Sequence, residues 1–304
     1  MSEIKSAKVL VPVIKRIKYI VFGEVLYDCF PDGHQVAGGA PFNVAWGLRG
    51  LGHDVNFVSA IGDDDPGESL RNLVREWNLD DSCLQVNTLH PTGKVTVALS
   101  GGEATYTVHK SCAWDFIEDP LMEATHLLYH GSLALRNPVS RANFEALEKR
   151  SKDAIRFFDV NLRTPHYKLD QIKKWMRKTH WLKLNLDELE EITGLSGLDI
   201  SNSEEILTQL KSDFEIDNIL LTAGERGAVI HGSREYVSKI PSPSPHKLID
   251  TVGAGDGFTA MTLHGILNNY SLDQIVEMAS SFASKICQMQ GATSKDPNFY
   301  QIKT

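Results

Sequence analysis

A chain of 304 residues, 42% hydrophobic and 23% charged, is long enough to bury a sizeable core and has the composition of a globular protein. Its formal net charge of -8 disfavours non-specific binding to nucleic acid or to an anionic membrane, since both need a cationic face. Phosphate ligands stay open, because local groups hold them whatever the net charge.

Residues 1–17 read as an extension with no legible role. The apolar run at 9–14 is closely flanked by basic residues and is too short for a signal-peptide core. Apolar, β-rich runs then recur at 19–22, 55–61, 126–129, 155–158, 181–184, 219–221 and 228–230. Patterns of helical period fall between several of them, at 41–51, 67–77, 139–150, 169–178 and 204–211. Short apolar strands alternating with amphipathic helices predict an α/β fold, doubly wound around a mostly parallel sheet. Two stretches break the alternation. Residues 24–40 are rich in turn formers, and residues 92–110 alternate Val, Thr and Tyr around Gly101-Gly102, which predicts a hairpin. The expectation is one domain over 18–304, with a small β lid built from insertions at about 24–40 and 92–112.

No apolar run approaches the ~20 residues that cross a bilayer. The four cysteines (Cys29, Cys83, Cys112 and Cys287) are scattered and form no C-x-x-C pair. That pattern suits neither a zinc site nor a disulfide framework, and it fits a reducing cytoplasm. Each cysteine reads as a small, buried apolar residue.

The most informative segment is Asp250-Thr-Val-Gly-Ala-Gly-Asp-Gly-Phe258. Phe258, Met261, Thr262, Gly265 and Ile266 follow at helical spacing, so residues 253–256 should form the first turn of a helix. Glycines there let backbone N–H groups approach an anion, and the helix dipole adds a partial positive charge. Asp256 inside that turn should be held as an anion, able to accept a hydroxyl proton while its neighbours' N–H groups hold a phosphoryl group. On its own the segment also fits a glycine-rich helix entry with an ordinary first-turn acid. A dinucleotide fingerprint fails because Phe258 stands at the third glycine position, and no Walker A sequence is present.

This segment resembles the C-terminal D-T-x-G-A-G-D signature of the ribokinase-like (pfkB-type) carbohydrate kinases. The N-terminal G-G-x-x-x-N-x-A signature is matched by Gly38-Gly-Ala-Pro-Phe-Asn-Val-Ala45. The likeness runs from about Tyr19 to Ala292. It takes in Gly23-Glu-Val-Leu-Tyr-Asp28, Ala113-Trp-Asp115, Gly131-Ser-Leu-Ala134 and Asp159-Val-Asn-Leu-Arg163, and it is closest to the fructokinases. It implies sugar contacts for Asp28, Gly39 and Asn43, and places Asn161 and Arg163 near the sugar and the transferred phosphate. Read alone, Asp28 is equally a turn residue and Arg163 a solvated surface charge. Asn185-Leu-Asp-Glu188 matches the family's N-x-x-E motif, which implies a role for Asn185 and Glu188 in organising Mg²⁺ and phosphate, often through water. The same residues also suit a plain helix N-terminus. Thr222, Gly224 and Gly227 lie in a turn where the family holds nucleotide, and a hairpin turn is the plainer alternative.

The reading is an ATP-dependent sugar kinase that phosphorylates a primary hydroxyl, most simply that of fructose. Asp256 is the base, and Gly253, Ala254 and Gly255 form the anion hole. The acceptors ribose, a nucleoside and a keto-deoxy sugar acid stay as alternatives, as does a silent sugar-sensing homologue. The resemblance further implies a K⁺ site at Asp250 with oxygens from 291–294, and leaves room for a homodimer joined through the lid. No nucleic-acid or membrane partner is expected. Trp114 is read either as a flat wall for the sugar or as a core aromatic.

Overall fold

The apolar runs form the strands of one sheet, in a computed structural model that describes residues 19–100, 103–122, 125–233, 235–239 and 248–302. The expected extension at 1–17 and the Gly101-Gly102 turn lie outside the described residues.

In chain order the first elements are β1 (Tyr19–Phe22), β2 (Leu26–Cys29), β3 (Gln35–Gly38), α1 (Ala40–Gly50), β4 (Val55–Gly62), α2 (Asp65–Glu76), β5 (Leu84–Asn87), β6 (Gly93–Ser100) and β7 (Glu103–Val108). Next come β8 (Leu127–His130), α3 (Pro138–Arg150), β9 (Ile155–Asp159), α4 (Leu169–Met176), β10 (Trp181–Asn185), α5 (Leu186–Thr193) and α6 (Glu204–Phe214). The chain continues with β11 (Asn218–Thr222), β12 (Ala228–His231), β13 (Tyr236–Lys239), α7 (Ala254–Leu267) and α8 (Leu272–Ile286).

Nine strands make a sheet of order β13-β12-β11-β10-β9-β8-β1-β4-β5. The pairs from β11 to β5 are parallel, and β12 and β13 add an antiparallel edge. Two apolar clusters cover the faces. One centres on Ile20, Phe22, Leu128, Phe158 and Leu182, the other on Val21, Phe57, Tyr129, Phe157 and Leu220. Successive residues of one strand enter opposite clusters, as a period of two requires when both faces are buried.

The turn-rich stretch at 24–40 proves to hold two strands. With β6 and β7 they form a separate sheet of order β3-β2-β6-β7, in which Asp28 lies within β2 rather than at a turn. Their sequence shows little period-2 signal because each has only four residues. Helix α8 was also not anticipated, although Ser271 and Gln274 form a capping box at its start, a spacing visible in the sequence. Among the described residues no helix is long and apolar enough to cross a membrane. None of the four cysteines forms a disulfide; Cys83 and Cys112 are buried as expected, whereas Cys29 and Cys287 are only half-buried.

Candidate active site

Parallel pairing brings the carboxyl ends of the central strands to one edge. Lys183 of β10 lies in register with Asp159 of β9, and Asn185 with Thr222 of β11. The segments that follow β1, β8 and β9 begin at the same edge, where ligands of such sheets bind.

Helix α7 supplies the centre. Both α1 and α7 are buried along most of their length, and they cross closely because Gly47 and Ala260 are small: a Cβ on Gly47 would stand 2.8 Å from that of Ala260. One turn earlier on each helix, Asn43 Nδ2 donates to Asp256 Oδ2 at 2.7 Å. The expected first turn is present. Gly253 is its N-cap at φ 79°, a left-handed conformation, and a Cβ there would collide with Ala292. No side chain caps α7; Ala254 N donates to Thr251 O at 3.2 Å, and the N–H groups of Gly255 and Asp256 in its first turn are left for another acceptor. Gly39, at φ 109°, plays the matching part at the start of α1, where a Cβ would come within 2.7 Å of the Glu24 carbonyl oxygen.

Around Asp256 stands a group of buried charges. Asp159 is fully buried; its carboxylate accepts from Lys183 Nζ at 3.0 and 3.2 Å and from Thr259 Oγ1, one turn along α7, at 3.1 Å. Burial alone would lower the Lys183 pKa, but the attraction of Asp159, Glu188 and Asp256 outweighs it and leaves it raised. For Asp256 burial dominates. With the charge of Asp159 it outweighs the Asn43 hydrogen bond and the Lys183 and Arg163 cations, and the pKa is raised. This corrects the expectation that the helix start holds Asp256 as a stabilised anion. The carboxylate has lost more hydration than the turn returns, which makes it the stronger proton acceptor.

The remaining candidates divide. Asp28 sits on β2, its Oδ2 packed on the Gly38 backbone, and loss of hydration raises its pKa to about 6 against the pull of Arg163. Asn161 is left-handed at φ 41° and accepts from Ser132 Oγ, and Arg163 is exposed beside it. Glu188 and Asn185 form a capping box; Glu188 Oε2 accepts from Asn185 N and Oε1 from Leu162 N, each at 2.8 Å. Glu188 therefore braces the 160–163 segment. Among the described residues no three acids, histidines or cysteines gather as a metal cage. A Mg²⁺ carried on nucleotide phosphates would keep most of its water, and Glu188, whose two oxygens already accept from backbone N–H groups, would reach it only through that water. Thr222, Gly224 and Gly227 form the tight turn between antiparallel β11 and β12, with Ala223 N donating to Gly227 O at 2.8 Å. Asp250 Oδ2 accepts from Gly291 N at 2.9 Å, so the two segments expected to share a cation do meet. Trp114 is fully buried in the core with the Arg136 guanidinium 4.2 Å over its ring, and offers no face to a sugar.

The profile described as pfkB family carbohydrate kinase matches residues 18–298. The chain belongs to the pfkB family of carbohydrate kinases. This carbohydrate kinase is 32% identical to a fructokinase of Klebsiella pneumoniae over 91% of its own length and 94% of the relative's. Among solved structures it resembles a double-mutant fructokinase of Vibrio cholerae O395 in its fructose-, ADP- and potassium-bound form, at 23% identity and TM-score 0.77, over 92% and 94% of the two chains. It also resembles an aminoimidazole riboside kinase of Salmonella enterica at 21% identity and TM-score 0.79, over 93% and 98%. The fold of the kinase is thus the ribokinase-like α/β fold.

Sequence reasoning passed over Glu24, Asp159, Lys183 and Thr259 as functional residues, although Glu24 and Asp159 stand inside quoted motifs. Lys183 could have been flagged as a lone cation inside the apolar strand Trp181–Asn185. Glu24 is 2% exposed, its Oε2 has no partner, and loss of hydration raises its pKa from 4.5 to about 7. The unfolded chain binds fewer protons than the native one between those values, so Glu24 contributes stability below pH 4.5 that is lost as pH rises through 7. The loss is on the order of 3 kcal/mol. Melting curves of the kinase should therefore fall from pH 5 to pH 8, and Glu24→Gln should flatten that fall. An unchanged slope in the variant would assign it to other groups.

Proposed function

We propose that this carbohydrate kinase transfers the γ-phosphoryl group of ATP to the 6-hydroxyl of fructose, giving fructose 6-phosphate and ADP. The observation that carries the proposal is the Asn43–Asp256 pair at the uncapped first turn of α7. It sets a poorly hydrated carboxylate beside free backbone donors. Asp256 takes the hydroxyl proton as the sugar oxygen bonds to phosphorus and the bond to the β-phosphate oxygen breaks. Gly253, Ala254 and Gly255 hold the charge on the transferred group, aided by Arg163. Asp28, Gly39, Asn43 and Asn161 take the sugar hydroxyls, while Asn185, Thr222, Gly224 and Gly227 line the nucleotide side. A Mg²⁺ on the nucleotide would supply charge neutralisation there.

The small sheet acts as a lid over this edge. Its β2 carries Asp28, and Val36 of β3 comes within 4.0 Å of the Cβ position at Gly291. Fructose is favoured by the motifs Gly38–Asn43, Ala113–Asp115 and Gly131–Arg136 and by relatives named fructokinase. The deciding measurement is kcat/KM for fructose, ribose, a purine nucleoside and 2-keto-3-deoxygluconate at matched Mg²⁺ and ATP. Fructose should lead; a lead of about tenfold by any other acceptor removes fructose and leaves the kinase.

A monovalent cation such as K⁺ is held between Asp250 and the 291–294 loop, stiffening the turn that presents residues 253–256. Activity should rise in potassium over a bulky organic-cation buffer, and equal rates in the two would remove the site.

A further inference from the structure

Away from the acidic group, a cavity of about 600 Å³ opens between α3, α4 and the loop after β7. None of its lining residues is among those assigned to sugar, nucleotide or catalysis, although Asp115, Ser132, Leu135 and Arg136 belong to motifs shared with the fructokinases; the cavity and the candidate active site touch through the Ser132–Asn161 hydrogen bond. Its charge is opposite in sign to that of the whole chain. Lys110, Arg136, Arg141 and Lys168 line it, and Asp115 is the one acid among the lining residues. Asp115 is already taken, accepting from Arg136 Nε and Nη2 at 2.8 Å each. Among the described residues neither Lys110, Arg141 nor Lys168 has a carboxylate within ion-pair distance.

Two helices add to this. Asn137 and Pro138 bring the N-terminus of α3 to the wall, and Lys168 and Gln171 bring that of α4. Lys168 is the α4 N-cap and no side chain caps that helix; Gln171 N donates to Lys168 O at 2.9 Å, which leaves the N–H groups of Leu169 and Asp170 for another acceptor. Asp170, in the same turn, is not a lining residue. Each helix start carries about half a positive charge. Donors are also in surplus behind the surface, since Gln171 Nε2 and Trp175 Nε1 are buried without an acceptor among the described residues. His166 contributes a further ring nitrogen, and its Nδ1 lies 3.3 Å from Arg136 Nη1.

We propose that this cavity is a second anion site that binds a phosphate monoester. Asn137 Oδ1 already caps α3, accepting from Val139 N at 2.9 Å, but three cations without an ion-pair partner among the described residues and the uncapped start of α4 exceed what one carboxylate would neutralise and suit a dianion. The volume leaves room beside the phosphate for a small polar body, against the apolar wall of Leu135, Pro165 and Trp175. An organic monoester such as a sugar phosphate and free inorganic phosphate share the recognised oxyanion, and the experiment separates them.

Calorimetric titration of the whole kinase with inorganic phosphate, a hexose phosphate and the unphosphorylated hexose tests the site. The hexose phosphate should bind saturably and more tightly than inorganic phosphate. Its Kd should weaken by roughly tenfold or more in Arg141→Glu and in Lys168→Glu. Among the described residues neither has a salt-bridge partner and Lys168 is exposed, so both variants should keep wild-type melting and wild-type kinase activity with the sugar and ATP. Equal Kd values in wild type and both variants would place the anion elsewhere and overturn the proposal. So would the absence of saturable binding by either phosphate probe. Tighter binding of inorganic phosphate than of the hexose phosphate would overturn the monoester assignment.

Discussion

Asp256→Asn should lower kcat by about 10²–10⁴-fold while leaving the KM for sugar little changed. The amide occupies the same space but accepts no proton, so the loss falls on chemistry rather than on binding. The fold should survive. The native carboxylate has a raised pKa because burial has stripped its water, and a neutral amide avoids that cost. The new amide can also donate to Asn43 Oδ1, which is buried without a partner. Single-turnover rates report the chemical step, and thermal melting of the same preparation reports the fold. A variant with wild-type single-turnover rate would remove Asp256 as the base. A variant that melts far below wild type would instead make the residue a strut.

The second large effect is expected at Lys183. Lys183→Met keeps the length of the stem and removes the ammonium, leaving the fully buried Asp159 without a cation, with Thr259 Oγ1 still donating to it. An uncompensated buried charge costs about 3–5 kcal/mol. The cost should reach the active site, because Asp159 also holds α7 through Thr259, one turn beyond Asp256. Urea unfolding of Lys183→Met should show a much lower midpoint. The double variant with Asp159→Leu should recover most of the loss, since a pair replaced by apolar groups need not be destabilising. If the double variant is as unstable as the single one, charge pairing is not the cause.

These two residues also mark what was legible in the sequence. Asp256 stands in a glycine-rich turn ahead of a helical pattern, and local chemistry is enough to single it out. Lys183 stands in an apolar strand, and its significance depends on a neighbour 24 positions away that only strand register brings within 3.0 Å. The same holds for Asn43 and Asp256, which are 213 positions apart. Glu188 shows a subtler case. Its N-x-x-E spacing predicted a helix start, and the capping box is there. That its other oxygen braces Leu162 N was not readable, because the partner is a backbone group on another strand's loop. Trp114 shows the reverse: the sequence left it between sugar wall and core, and Arg136, itself paired with Asp115, closes over it.

By itself, the sequence determined the alternation of strands and helices, the antiparallel pair at 93–108 and the glycine-rich turn that opens α7. Those are properties of period, propensity and backbone freedom, which act over a few residues. Tertiary structure alone decided which residues of 24–40 form strands of the small sheet and that β2 pairs with β6, and that α1 and α7 approach closely enough for Asn43 to reach Asp256. It also decided the ionisation of the site. Glu24, Asp28 and Asp256 are ordinary acids in the sequence, and their raised pKa values come from water excluded by segments far apart along the chain. Solvation depends on everything that surrounds a group, and only the folded chain fixes those surroundings.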